Sequence, residues 1–135
     1  MSVDLDILPD TAIYIGFMRR DIDIRAVLMP YLKAGHLYSC GVVRAEVLRG
    51  IKDPRKYADT EQFFDIIPEV PTDPRLWRQV SKIGWDLGRK GKWPPVTDIT
   101  IAACAMRARL TLISPDGHFD DVEGLKLLKE LPEPL

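Results

Sequence analysis

Four carboxylates occupy positions where a folded chain places charge only at a cost. Asp10 follows a short apolar run directly, and Asp116 follows another after two residues. On a helical wheel Glu46 falls between Val42 and Val43, with Arg44, Arg49 and Lys52 on the other side. Asp98 falls among Ile101, Ala102, Ala105 and Arg109, while Thr100, Ala103 and Arg107 face away. Acids on apolar faces are unfavourable unless something pairs with them. Gathered in one crevice, these four would repel one another, and some would have to take up protons. A divalent cation removes that conflict, and an oxygen-only donor set selects Mg²⁺ or Mn²⁺. Such a cluster suits phosphodiester hydrolysis: one ion orients and deprotonates water, and a second, about 3.5–4 Å away, stabilises the leaving oxygen. Singly, each acid has a plainer use. Asp10 can cap a helix, Asp116 can make a turn with Gly117, Glu46 can sit at the edge of the core, and Asp98 can complement a helix dipole.

The elements that must position these groups follow from the apolar pattern. Residues 5–8 read as a buried strand that stops at Pro9-Asp10. From Thr11 the pattern turns helical, with Ile13, Phe17 and Ile24 as apolar positions. A second strand covers residues 37–40, after the Gly35-His36 break. Residues 42–51 form a helix ending near Gly50, and residues 52–64 another, opened by Asp53-Pro54. A third strand is expected at Ile66-Ile67. Asp73-Pro74 opens a helix with the stripe Leu76, Val80, Ile83 and Leu87. A loop over residues 91–95 leads to a small-residue helix over residues 97–108. A strand over residues 110–113, the turn Ser114-Pro115-Asp116-Gly117, a last strand at residues 125–128 and a frayed proline-rich end complete the chain. Alternating strands and helices predict an α/β fold with a mostly parallel sheet. Ligands of such folds bind at the carboxyl ends of the strands, where Asp10 and Asp116 fall.

Length and composition narrow the class. A chain of 135 residues suits one domain, and 46% hydrophobic with 29% charged residues suits a soluble protein. No apolar run reaches the length of a membrane span. The start, Met1-Ser2-Val3-Asp4, lacks the basic residues of a signal peptide, so a cytoplasmic protein is expected. Cys40 and Cys104 lie in apolar stretches and read as buried thiols rather than a disulfide. A net charge of −1 excludes a protein that grips nucleic acid by overall charge, so any RNA must bind at a local patch or through metal ions.

With their neighbours, the four acids resemble the motifs of the PIN-domain family. Leu8-Pro9-Asp10-Thr11-Ala12 is similar to the family's opening strand-Asp-Thr. Val43-Arg44-Ala45-Glu46-Val47-Leu48-Arg49-Gly50 resembles its second acidic motif. Thr97-Asp98-Ile99-Thr100-Ile101-Ala102-Ala103-Cys104-Ala105 resembles the aspartate that leads an alanine-rich helix. Leu112-Ile113-Ser114-Pro115-Asp116-Gly117-His118-Phe119 resembles the closing motif. Order and spacing match over nearly the whole chain. The resemblance implies a single PIN-like domain over residues 1–135, a three-layer sandwich with a central, mostly parallel sheet flanked by helices. It implies a Mg²⁺- or Mn²⁺-dependent endoribonuclease, the toxin of a type II toxin–antitoxin pair similar to VapC and FitB. The implied partners are an RNA substrate, a small cognate antitoxin and a second copy in a homodimer, with no membrane. Asp10, Glu46, Asp98 and Asp116 become the catalytic, metal-binding site, with Asp10 and Asp98 as direct ligands. Thr11 and Ser114 become hydroxyls that orient carboxylates or water. Two positions depart from the pattern: Ala12 removes one polar contact, and Pro115 stands where a basic or polar residue is frequent.

Other residues offer less. His118, two residues after Asp116, is placed for a role in the site but reads first as structural or exposed. His36 and Cys40 have zinc-like spacing without a second ligand pair. No Gly-x-Ser-x-Gly elbow or phosphate-binding glycine loop is present. A phosphoaspartate enzyme would want a second acid at Ala12 or beside Asp10. Trp77 reads as core, Trp85 points to the opposite face as a binding anchor or a covered ring, and Trp93 in its loop can stack on a base or pack. Arg44, Arg49, Lys52, Arg55 and Lys56 form a basic run, either a solvated face or a phosphate-steering rim. The competing reading of the whole is a PIN-like module that binds RNA or protein without cutting.

Overall fold

The computed structural model describes residues 5–132. The fraying expected for residues 133–135 lies outside them. Three very short strands lie side by side: β1 (Ile7–Pro9), β4 (Thr111–Ile113) and β5 (Leu127–Leu128), in the order β1-β4-β5. β2 (Ser39–Cys40) pairs with β3 (Glu69–Val70). An isolated bridge from Ile7 to Leu37 joins the two groups, so the order across the fold is β3-β2-β1-β4-β5. Every pairing is parallel, as the alternation of elements requires. The chain first builds outward from β1 to β2 and β3, then returns to the other side of β1 to lay down β4 and β5. The order therefore reverses at β1/β4, and the crevice of such a sheet opens at the carboxyl ends of those two strands.

Helices flank the sheet. They are α1 (Thr11–Arg19), α2 (Ile24–Lys33), α3 (Gly41–Arg49), α4 (Pro54–Asp65), α5 (Pro74–Arg89) and α6 (Val96–Arg107). Asp53 and Asp73 cap α4 and α5, accepting from the amides of Arg55 and Leu76, each with proline as the first helical residue. The Leu76, Val80 and Leu87 stripe of α5 is buried against α6. Cys40 and Cys104 are both buried, free thiols. Among the described residues no helix is long and apolar enough to cross a membrane.

Four expectations change. The helical pattern from Thr11 to Ile24 is two helices, because Asp21 takes a left-handed backbone (φ 56°) and Asp23 caps a new helix through the Arg25 amide. The third strand is Glu69–Val70, not Ile66-Ile67: Ile66 ends α4, and Ile67 is buried in the turn. Thr100 and Ala103 do not face solvent. Residues 99–105 are buried all round because α6 packs against α3, α5 and β4 at once, and the Thr100 hydroxyl donates to the Val96 carbonyl within the helix (2.7 Å). Trp77 is not core but 46% exposed, one position beyond the buried Leu76.

Within the core, Tyr14 is fully buried with its ring 5.0 Å from Phe64, and its hydroxyl has no hydrogen-bond partner among the described residues. Leaving a buried hydroxyl unpaired costs about 1–3 kcal/mol. Tyr14→Phe keeps the ring and removes that penalty. Urea unfolding should show it to be more stable than the natural protein by about 1 kcal/mol. A less stable variant would mean the hydroxyl has a bound water.

Candidate metal centre

Asp10 continues the β1 ladder by one bond beyond the strand: its amide donates to the Ile113 carbonyl (2.9 Å). This fixes it beside the end of β4. It occupies the cap position of α1, yet its side chain makes no capping bond. It turns instead toward Ser114, whose hydroxyl donates to Asp10 Oδ2 at 2.8 Å. Asp10 is only 4% exposed, and no basic side chain among the described residues forms an ion pair with it. Burial pushes its carboxyl pKa up, the Ser114 bond pulls the other way, and the nearby Asp98 charge raises it further.

Ser114 extends the chain of contacts, because the Asp116 amide donates to its oxygen (3.0 Å). Asp116 opens the short 3₁₀ turn Gly117–Phe119 and accepts from the His118 amide (2.9 Å), so it does perform the plain turn-capping role as well. That turn swings His118 back across the crevice. Its Nδ1 lies 2.7 Å from Asp98 Oδ2 and 3.4 Å from Asp116 Oδ1. The two carboxylates raise the pKa of the imidazole, Asp98 foremost through the hydrogen bond. Asp98 itself stands in the first turn of α6, where the helix dipole favours a carboxylate. Glu46 enters from α3, and the Thr11 hydroxyl donates to its Oε1 (2.8 Å).

One contiguous set of contacts thus runs from Asp98 through His118, Asp116 and Ser114 to Asp10, and Asp98 and Asp10 feel each other's charge. Glu46 is tied to Thr11, the residue after Asp10. Both hydroxyl residues singled out in the sequence lie against carboxylates. The sequence allows His118 a site role but favours a structural or exposed histidine; it is exposed, and its partner Asp98 is twenty residues away. The usable signal was the Asp-x-His spacing, since a turn capped by Asp116 carries residue 118 back toward the acid. The basic run contributes less than its composition suggests. Arg44 ion-pairs with Asp65 (2.7 Å) on α4, so part of its charge is already neutralised there.

The donor set fits a cation. Asp98, Asp116 and His118 each offer a ligand atom, and these atoms lie within 4.8 Å of one another. Among the described residues, the buried Asp10 carboxylate, near enough to feel the Asp98 charge, has neutral hydrogen-bond partners only. Excess negative charge held in a partly dry crevice is the arrangement a divalent ion stabilises.

Comparisons with known proteins agree with the fold. Several solved structures share the fold. A DNA-bound VapBC from Salmonella typhimurium superposes with a TM-score of 0.77 at 19% identity, covering 92% of this chain and 97% of that one. VapBC2 from Rickettsia felis, bound to a promoter DNA fragment, gives 0.75 at 18% identity, covering 90% and 96%. A FitAcB structure from Neisseria gonorrhoeae gives 0.67 at 21%, covering 91% and 96%. No curated protein matches the sequence at a significant level. The PIN domain family model matches residues 7–125, which span β1, all six helices and β4 and so include every acid described above. This chain belongs to the PIN-domain family.

Proposed function

We propose that the protein is a divalent-metal-dependent endoribonuclease and the toxin of a toxin–antitoxin pair. The observation that carries the nuclease reading is the Asp10 carboxylate, buried at the end of β1 with no basic ion-pair partner among the described residues and within reach of the Asp98 charge at the start of α6. Asp10 and Asp98 would be the principal ligands, with Asp116 and the His118 nitrogen grouped around Asp98 and Glu46 joined to Asp10's neighbour Thr11. When bound, Mg²⁺ or Mn²⁺ supplies charge neutralisation at the phosphate and activation of water. Ser114 holds Asp10 in one rotamer, and Thr11 does the same for Glu46. His118 shields the Asp98 and Asp116 charges from each other until the ion is in place. The toxin reading rests on the shared fold. A similar structure, VapBC-5 from Mycobacterium tuberculosis, is described as a member of the VapBC family of toxin-antitoxin systems, and another as a toxin–antitoxin complex from Klebsiella pneumoniae. A small cognate antitoxin and a second copy of the chain are the corresponding partners.

Titration calorimetry with Mn²⁺ tests this reading. Binding to the natural protein and its loss in Asp98→Asn are expected. No binding would favour a module that holds RNA or protein without cutting. Groups that hold metal ligands in place are worth about 10- to 100-fold in affinity or activity. Thr11→Val should therefore lower cleavage by about that factor with little change in melting temperature. Unchanged cleavage would show that Glu46 needs no fixing.

A further inference from the structure

We propose that the tryptophan-bearing face of α5, with the loop that follows it, is a track for single-stranded RNA leading into the carboxylate crevice. On this track Trp93 stacks on the base nearest the site. The inference rests on the nuclease reading above and adds where the substrate lies.

The first observation is charge. Between residues 74 and 96, six cations, Arg75, Arg78, Lys82, Arg89, Lys90 and Lys92, stand against one acid, Asp86, in a chain whose net charge is −1. Lys82 pairs with Asp86 and Lys92 with Asp121. The remaining four have no carboxylate partner among the described residues and are exposed. This is the local patch that an acidic chain needs if it is to hold RNA.

The second observation is aromatic surface. Trp85 and Trp93 are 58% and 80% exposed, and both stand on the same groove as Trp77 and Val96, about 380 Å³ in volume. Cations already lie over one of these rings: Lys82 Nζ is 5.1 Å and Arg89 Cζ 4.6 Å from the Trp85 centroid. Aromatic plates interleaved with cations are how single strands are held without sequence readout. Trp93 is fixed in place by Gly88. A Cβ built there would stand 2.7 Å from Trp93 Cη2, so only glycine lets the ring rest on the helix backbone. One end of the ring is anchored and most of the rest is open.

The third observation is continuity. Trp93, Lys92 and Pro94 also line a second hollow of about 300 Å³ whose far wall is Gly117 and His118. Trp93 therefore stands between the groove and the residue that contacts Asp98. A strand stacked on Trp93 has its adjoining phosphate directed at the acids. The same charge argues against a second copy seated here, because a two-fold interface would set this basic face against itself.

The test is a titration of a fluorescein-labelled, 12-nucleotide single-stranded RNA of mixed sequence, in chelator so that nothing is cut, read by anisotropy and by quenching of the tryptophan emission. Natural protein is compared with Trp93→Ala, Trp85→Ala and the pair Arg89→Glu with Lys90→Glu, each checked by circular dichroism and sedimentation. Loss of a stacking ring should weaken binding about tenfold. The charge pair should weaken it and reduce the slope of log affinity against log salt by about 0.7 for each cation removed. If Trp93→Ala does not fold, the charge pair, on exposed positions, decides the matter. If natural protein binds and cuts RNA while all variants bind as tightly, the track is elsewhere and the nuclease reading stands. If the variants change only the sedimenting mass, the face is a protein interface and the proposal is overturned. If natural protein neither binds RNA nor cuts it with Mn²⁺ restored, both readings fall together.

Discussion

Asp10→Asn should lower RNA cleavage by at least about a thousandfold and, at the same time, make the metal-free protein more stable, by roughly 1 kcal/mol or about 3 °C in melting temperature. The two effects have one cause. Asp10 is buried with a hydroxyl for a partner and the Asp98 charge nearby, so its ionised form is disfavoured in the folded state. Its folded pKa lies above the unfolded value, so the folded protein binds the proton more tightly than the unfolded chain. The stability linked to this group therefore rises as pH falls through the folded pKa toward the ordinary carboxylate range, and is absent at neutral pH. Asp73 acts in the opposite sense and lower on the scale. The Arg107 guanidinium, bonded to it through two nitrogens (2.7 and 2.6 Å), holds its carboxyl well below the usual range, so that contribution is lost only in stronger acid. Thermal melts in chelator over a pH series should show natural protein gaining stability on mild acidification and Asp10→Asn lacking the gain. A variant that is less stable, or that keeps the same pH profile, would mean the Asp10 charge is structural.

Mn²⁺ at about 100 times its dissociation constant should raise the stability of the natural protein by about 2.7 kcal/mol. For a chain of this size that is about 8–10 °C. On the proposed function, the acids that repel one another without the ion would be its ligands, so binding would be coupled to relief of that repulsion. Asp98→Asn should lose most of the rise, because it removes the carboxylate shared by His118 and the Asp10 pocket. Melts with Mn²⁺, then with chelator added back, measure this directly. No rise in the natural protein would leave the acidic crevice without its ion.

The candidate site was legible in the sequence where local pattern and chemistry coincide. Asp10 stands at the end of an apolar run, and a parallel α/β order places strand ends on one side. Glu46 and Asp98 were visible as acids on the apolar wheel positions of their helices. What was not legible depends on tertiary contact. Nothing local announces that residue 21 adopts a left-handed backbone and divides one helical pattern into two. β3 is two residues long, and its identity is set by pairing with Ser39 and Cys40 rather than by its own apolarity. α6 is buried on every side, so the wheel that distinguished Asp98 misassigned Thr100 and Ala103. Trp77 sits one step off the α5 stripe, where the wheel cannot separate the edge of the core from solvent. His118 gained its place only when the turn capped by Asp116 brought it against Asp98.

The proposed activity is metal-dependent cutting of RNA by these acids. Its most direct test is incubation of a mixed pool of structured RNA with freshly purified, antitoxin-free protein and Mn²⁺, with and without chelator, beside Asp98→Asn. Cutting by the natural protein that chelator stops and that Asp98→Asn lacks is the expected result. Cutting that survives chelator, or that persists undiminished in Asp98→Asn, would contradict it.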